Sequence, residues 1–385
     1  MKIFHTADWH LGKLVQGVYM TEDQAFVLAQ FITAIEEEQP DAVVIAGDLY
    51  DRAVPPTEAV QLLDDVLKKI VLEMKIPVLA ISGNHDSPSR LQFGSQFMHE
   101  NQYYIKGQMT KDVAPIVLND DDGEVHFHLM PFADPSIIRN LYEDDEITTH
   151  QTAMEKVIAR IEQQMDPKAR HVFIGHAFVT PYGESEDNTS ESERPIAIGG
   201  TEFIAADLFE KFHYTALGHL HRAHYVKNET IRYAGSPLKY SISEENHEKG
   251  FYIVELDAKG DVTVEKRLLI PRRDMRTIEA TMADILTHEP NEDYVFVELL
   301  DEAAVLYPME KVRSIYPNAM HVRRKLRRLS KADDVVNTRV ATEKRTDLQL
   351  FEAFYEELKG QQADEETKQL FEEVYYDVMN GEDER

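Results

Sequence analysis

The chain has 385 residues, a formal net charge of −29, 43% hydrophobic residues and no cysteine. That length and core content predict two or three globular domains. The missing cysteines exclude disulfides and zinc–thiolate sites, and with no run of eighteen apolar residues neither a membrane span nor a membrane partner is expected.

Lys2–Thr6 reads as a strand that begins at once, with no signal-peptide pattern before it, which together with the absent cysteines predicts a cytoplasmic location. Residues 22–38 read as a helix with Phe26, Ala29, Ile32 and Ile35 at core spacing. Residues 42–46 (Ala-Val-Val-Ile-Ala) are a buried strand, and Thr57 caps a helix to Met74 that turns Val60, Leu63, Leu67 and Ile70 inward. Residues 77–81 are the next strand, and this alternation predicts an α/β fold with nearly parallel strands. In Val125-His-Phe-His-Leu-Met an alternating strand turns His126 and His128 to solvent. From His171 to Ile270 strand-like runs recur and helical signals thin out, with a polar, acidic loop between Pro181 and Gly200. Residues 275–325 suggest a small α/β unit, and two amphipathic helices follow a polar stretch, the first with Leu350, Phe351, Phe354, Tyr355 and Leu358, the second with Leu370, Phe371, Val374, Tyr375 and Val378. The expected division is residues 1–270 as a catalytic domain, 271–330 as a small α/β cap, 331–346 as a linker and 347–385 as a helical docking segment.

Five short motifs stand where hydrophobic strands end: Asp8-Trp9-His10, Gly47-Asp48-Leu49-Tyr50-Asp51-Arg52, Gly83-Asn84-His85-Asp86, Gly175-His176 and Gly218-His219-Leu220-His221. Each alone is ordinary; their order and placement are not, because α/β sheets hold ligands at strand ends. Asp8 and His10, two apart, can converge on one ion. Asp48 can bridge two cations with its two oxygens, and Asn84 offers a neutral oxygen. His176, His219 and His221 complete a mixed nitrogen and oxygen set, which suits manganese, iron or zinc better than calcium. Two such ions can clamp an in-line displacement at phosphorus. Trp9 reads as a packing wedge behind the ligand loop, and His5 as a core histidine.

Gly-Asp-x-x-Asp-Arg, Gly-Asn-His-Asp and Gly-His-x-His resemble the calcineurin-like metallophosphoesterase superfamily. Within it, His5-Thr-Ala-Asp-Trp-His-Leu-Gly12 is similar to the SbcD family, bacterial counterparts of the archaeal and eukaryotic double-strand-break repair nuclease. Ser192-Glu-Arg-Pro195, Gly199-Gly200 and Leu350-Phe-Glu-Ala-Phe-Tyr355 extend the likeness along the chain. The resemblance implies a two-sheet β-sandwich flanked by helices. It implies one ion held by Asp8, His10, Asp48 and His221 and a second by Asp48, Asn84, His176 and His219. It further implies that His85 is the catalytic histidine rather than a ligand, with the Asp51 carboxylate orienting it; read from the residues alone, Asp51 could equally pair with Arg52.

The activity so implied is manganese-dependent 3′→5′ exonuclease on double-stranded DNA and endonuclease on single strands and hairpins, in a nucleoid-associated assembly. The partner would be the SbcC coiled-coil ATPase, two copies of each chain, with self-association as a dimer. The net acidity argues against DNA contact, but it is uneven. Residues 343–385 hold fourteen acids against five bases, whereas Arg323-Arg324-Lys325-Leu326-Arg327-Arg328 is the densest basic run and the candidate DNA contact. The competing reading is a phosphoesterase acting on small molecules or proteins with the same metals; a third is a scaffold with a vestigial site, against which the complete ligand set stands.

Overall fold

The computed structural model describes residues 1–182, 190–193, 202–325, 347–359 and 361–381. The expected linker, Arg327, Arg328 and most of the Pro181 to Gly200 loop, including Gly199 and Gly200, lie outside the described residues.

Two six-stranded mixed sheets stack face to face. The first has the order Val262–Leu268, Gly250–Leu256, Lys2–Thr6, Ala42–Ile45, Val78–Ile81, Tyr103–Lys106, and its last four strands are parallel. The second has the order His224–Val226, Asn228–Tyr233, Tyr214–Gly218, Arg170–His176, Gly123–Met130, Ile116–Asp120, with the four central strands parallel. Successive residues of a strand point to opposite faces, and here both faces are covered. Ile3, Val44 and Leu79 meet Phe127, Val172 and Ile174 between the sheets. Phe4, Val43 and Val78 pack outward against the helix Thr21–Glu38 and the helix Thr57–Leu67. Phe173 and Leu217 pack outward against the helix His150–Glu162. The inner strands such as Ala42–Ile45 and Val78–Ile81 are therefore continuously apolar, as doubly covered strands must be, whereas the edge strands Val262–Leu268 and Ile116–Asp120 alternate.

Three local expectations are corrected. The helix Thr21–Glu38 buries Val27, Leu28, Phe31, Ala34 and Ile35 and leaves Phe26 43% exposed. Its apolar residues run nearly all round, so the docking of Phe31 on Phe4, Trp9 and Phe251 selects the buried face. Thr57 opens its helix but does not cap it: Pro56 holds the cap position, Val60 is exposed rather than turned inward, the α-helix ends at Leu67, and a π-helical turn, Lys68–Glu73, continues it. His126 and His128 are buried, 8% and 3% exposed, because the outer face of this strand is roofed over; His128 meets His171 at 3.0 Å and packs on Phe212.

After the first sheet closes, three parallel strands, Met275–Ala280, Tyr294–Leu299 and His321–Arg324, form a small third sheet with the short helices Met282–Ile285 and Pro308–Arg313. Ile278, Ile285, Val295, Val297, Val312 and Tyr316 make its core. It docks on the main body through Met275, Tyr294 and Met320 against Val15 and Met20, and through Asp23, which accepts from the Tyr294 hydroxyl at 2.6 Å and Arg273 at 3.0 Å. The helices Asp347–Lys359 and Glu365–Gly381 pair through stacked Phe351 and Phe371 rings, 4.1 Å between centroids.

Candidate metal centre

All five motifs meet at one edge of the sandwich. Asp8 and His10 follow Lys2–Thr6, Asp48 follows Ala42–Ile45, Asn84 and His85 follow Val78–Ile81, His176 ends Arg170–His176, and His219 and His221 follow Tyr214–Gly218. Each is a parallel strand, so all their carboxyl ends point to the same side.

The backbone there is strained. Asp8, His10, Asp48 and His219 have φ of 53°, 46°, 51° and 107°. Left-handed backbone at non-glycine residues costs on the order of 1–3 kcal/mol each and persists where surrounding structure over-determines it. The loops are locked by close contact: a Cβ on Gly83 would lie 2.1 Å from Asp48 Oδ1, and one on Gly47, at φ +94°, 2.3 Å from His176 Nδ1. Asp86, to which the motifs assign no role, ties two of these loops together. Its carboxylate accepts from the backbone N–H of Leu49, Tyr50 and Gly83 at 3.1, 2.9 and 3.0 Å.

The side chains converge as donors to a cation. Asp8, His10 and His221 form one buried cluster, and Asp8, Asp48 and His176 a second, with ligand atoms within 4.8 Å of one another in each. Asp48 Oδ2 stands between them, 3.6 Å from His10 Nε2 and 3.4 Å from His176 Nε2. His176 Nδ1–H donates to the Ala46 carbonyl at 2.9 Å, which leaves its Nε2 lone pair facing Asn84 Oδ1 at 2.9 Å. His221 Nδ1–H faces Glu244 at 3.2 Å, leaving Nε2 opposite His10 Nε2 at 3.0 Å. Nitrogen and oxygen atoms this close need a proton or a cation between them, and this buried set of Asp, Asn and His donors fits divalent ions. The imidazoles whose second nitrogen is fixed by a carbonyl or carboxylate have the usual arrangement of metal-binding histidines. His219 offers its backbone N–H to Asp8 at 2.9 Å, and its ring lies edge-on to His176 with centroids 5.4 Å apart.

Charge balance in the ion-free centre points the same way. Burial works against the charge on Asp48, but the imidazoles of His176, His10 and His85 hold its carboxyl well below the usual carboxylate range. Burial would lower His176, yet Asp48 and Asp8 push it up to about 9. Burial raises Asp8 to about 7, against the pull of His176 and His221. Burial drives His10 and His219 well below the ordinary histidine value.

His85 lies at the mouth, its ring 4.7 Å edge-on from His10. Its backbone N–H donates to Asp48 Oδ1 at 2.9 Å. Its orientation comes from the Asp51 backbone carbonyl, which accepts Nδ1–H at 2.8 Å, and not from the Asp51 carboxylate. That carboxylate turns instead to Lys13 at 2.8 Å, with Arg52 at 4.0 Å and His10 Nδ1 at 3.8 Å. His10, Asp51 and His85 also converge within 4.8 Å as a third, less buried group. Trp9 is fully buried, donates to Thr6 Oγ1 at 2.9 Å and wedges against Phe31. His5 is a core residue bonded to the Tyr214 hydroxyl at 2.9 Å.

Glu244, which no motif announced, and Ser192 and Glu193 of the Ser192-Glu-Arg-Pro195 stretch support His221. Glu244 is buried and receives His221, the Ser192 hydroxyl, and Lys249 at 2.5 Å. Burial opposes its charge, but Lys249 and His221 hold its carboxyl well below the usual range. Glu193 accepts the His221 backbone N–H at 2.6 Å. Glu244 lies in acid-rich, polar sequence that reads as surface.

A two-sheet sandwich with paired, buried Asp/His clusters at its strand ends defines a two-metal phosphoesterase. Comparison with known proteins agrees. Residues 1–223 match the model of the calcineurin-like phosphoesterases, and residues 271–359 that of the Type 5 capsule protein repressor C-terminal domain. The SbcD chain of the nuclease SbcCD from Staphylococcus epidermidis is 37% identical over 324 residues, 83% of this chain and 84% of that protein. The chain belongs to the calcineurin-like phosphoesterases and, within them, to the family of that nuclease chain. Two solved structures are also similar: TT1561 of Thermus thermophilus, 11% identical with a TM-score of 0.38 over 69% of this chain and 98% of that one, and a dimetal phosphatase from Danio rerio, 12% identical with a TM-score of 0.39 over 70% and 96%.

Proposed function

We propose that this chain is the DNA nuclease component of a cytoplasmic, nucleoid-associated SbcCD complex, a manganese-dependent 3′→5′ exonuclease on duplex DNA and endonuclease on single strands and hairpins. The observation that carries the reading is the pair of buried Asp/His clusters with ligand atoms within 4.8 Å of one another, in a chain whose relative is part of a nuclease. Asp8, His10, Asp48 and His221 would hold one ion, and Asp48, Asn84, His176 and His219 the other. When bound, the ions supply an activated water and charge stabilisation at phosphorus. His85, fixed through Nδ1, presents Nε2 to the leaving 3′ oxygen as proton donor.

The proposed domain division has a catalytic unit to residue 270, a cap to 330, a linker to 346 and docking helices beyond. In those helices Leu350, Phe354, Leu370 and Val374 stay exposed beside the Phe351–Phe371 stack, which suits docking on the SbcC ATPase. Self-association fits a second apolar surface, where Phe93 and Phe97 are each 83% exposed beside Val60, Leu72 and Met98; two adjoining grooves there share Leu67 and Met98. Two chains joined there and two ATPases would make the heterotetramer.

The test is cleavage of blunt and hairpin DNA by the purified chain, with and without SbcC, in manganese and in magnesium. Nucleolytic products in manganese are expected. A chain that hydrolyses small phosphoesters but leaves DNA intact even with SbcC present would overturn the reading.

A further inference from the structure

Two neighbouring carboxylates face opposite ways. Glu244 turns into the metal centre, where it receives His221 Nδ1 and Lys249 Nζ; the same Lys249 donates to the His221 carbonyl at 2.8 Å. Glu245 turns to the cap, where its carboxylate accepts the backbone N–H of Thr277, in the cap's first strand, at 2.7 Å. The Glu245 carbonyl accepts Lys239 Nζ at 2.6 Å, and Lys239 also reaches Asp274 at 2.8 Å. Glu244 closes a single 3-10 turn, Ile242–Glu244, and Ile242 packs into the cluster of Met20, Met275, Tyr294 and Met320 between body and cap.

We infer that Glu244 and Glu245 form a two-headed link: Glu244 is the positioning residue for the ligand His221, and through Glu245 the cap holds Glu244 in place. The inference rests on the two-metal reading. A cap that shifts carries Glu245 with it, and the short turn has no slack to leave Glu244 behind. His221 then keeps at Nδ1 only the Ser192 hydroxyl, 2.8 Å away and itself bonded to Glu244, so its ring and its ion are held less tightly. Linkage makes the effect reciprocal: an ion on His221 steadies the cap.

Manganese titration of the full chain by electron paramagnetic resonance tests this. Wild type should bind two ions per chain; a failure there removes the two-metal reading itself, before any variant is made. Glu244→Gln should weaken one ion by about 10–100-fold, the usual effect of removing a ligand's supporting partner. Glu245→Ala, which touches no ligand, should weaken the same ion at least about fivefold. Glu245→Gln should restore it, because an amide oxygen still accepts the Thr277 N–H. Tight binding of both ions by Glu245→Ala would overturn the link. A readout free of variants is hydrogen exchange of wild type: manganese should slow exchange of the amides in Met275–Ala280, and unchanged rates would also overturn it.

Discussion

At His85, Nδ1–H is donated to a backbone carbonyl, so a neutral acceptor rather than a carboxylate sets the ring's orientation. His85→Gln should lower DNA cleavage by about 10²–10⁴-fold, the range of a general acid, while metal analysis still finds both ions. Loss of ions together with activity would make His85 a ligand. Because the carbonyl does the orienting, Asp51→Asn should cost far less than His85→Gln; equal losses would return the role to the carboxylate. His176 sets a pH dependence. In the ion-free centre Asp48 keeps it protonated up to about pH 9, and an ion must displace that proton to reach Nε2. Below pH 9 manganese affinity should therefore rise about tenfold per pH unit, levelling off above it. Titrations from pH 7 to 9.5 measure this, and a flat affinity would contradict the protonation state.

Among the elements, the last cap strand ends in two of the five bases of the basic run, Arg323 and Arg324, with Lys325 just beyond it, and these charges are unequal. Arg323 pairs with Glu298, and Lys325 with Glu279 at 2.5 Å and Glu298 at 3.2 Å. Arg324 reaches only the Glu302 carbonyl, at 3.4 Å, among the described residues. Arg324→Ala should thus make the log–log salt slope of duplex DNA binding shallower by about 0.9 per lost phosphate contact, and Arg323→Ala should change it less. Binding curves over a salt series, in calcium to prevent cleavage, compare them; identical slopes for both variants and wild type would place DNA elsewhere. The unevenness shows what a sequence can disclose. Strand ends with their Asp, Asn and His residues were legible because the motifs sit at fixed distances from apolar runs. The cap strands were legible for the same reason. The face of the helix Thr21–Glu38 was not, since apolar residues surround it. Nor was the shelter over His126 and His128, which comes from His171 and Phe212 some forty or more residues away. Glu244 was invisible because its partners, His221 and Lys249, meet it only in three dimensions.

For the molecule as a whole, the C-terminal helices stand apart energetically. Neither contributes a residue to the hydrophobic clusters of the sheets or the cap among the described residues. Removing residues 347–385 should leave a folded chain that hydrolyses bis-p-nitrophenyl phosphate at the wild-type rate but no longer co-elutes with SbcC. A truncation that unfolds would show instead that the helices pack on their own body.

The first strand has a further consequence for how the protein is made. Lys2–Thr6 is central in its sheet, but one of its two neighbours is Gly250–Leu256, with Lys2 opposite Glu255. The ligands themselves run from Asp8 to His221. A growing chain that has presented only its early strands has one flank of Lys2–Thr6 unpaired and fewer than the full set of imidazoles. Contacts of such long sequence separation form late, because loop closure must precede them. The full ligand set is therefore absent until His221 has been made, and until the strand near residue 250 arrives, the apolar edge at residues 2–6 is the surface a chaperone would have to shield.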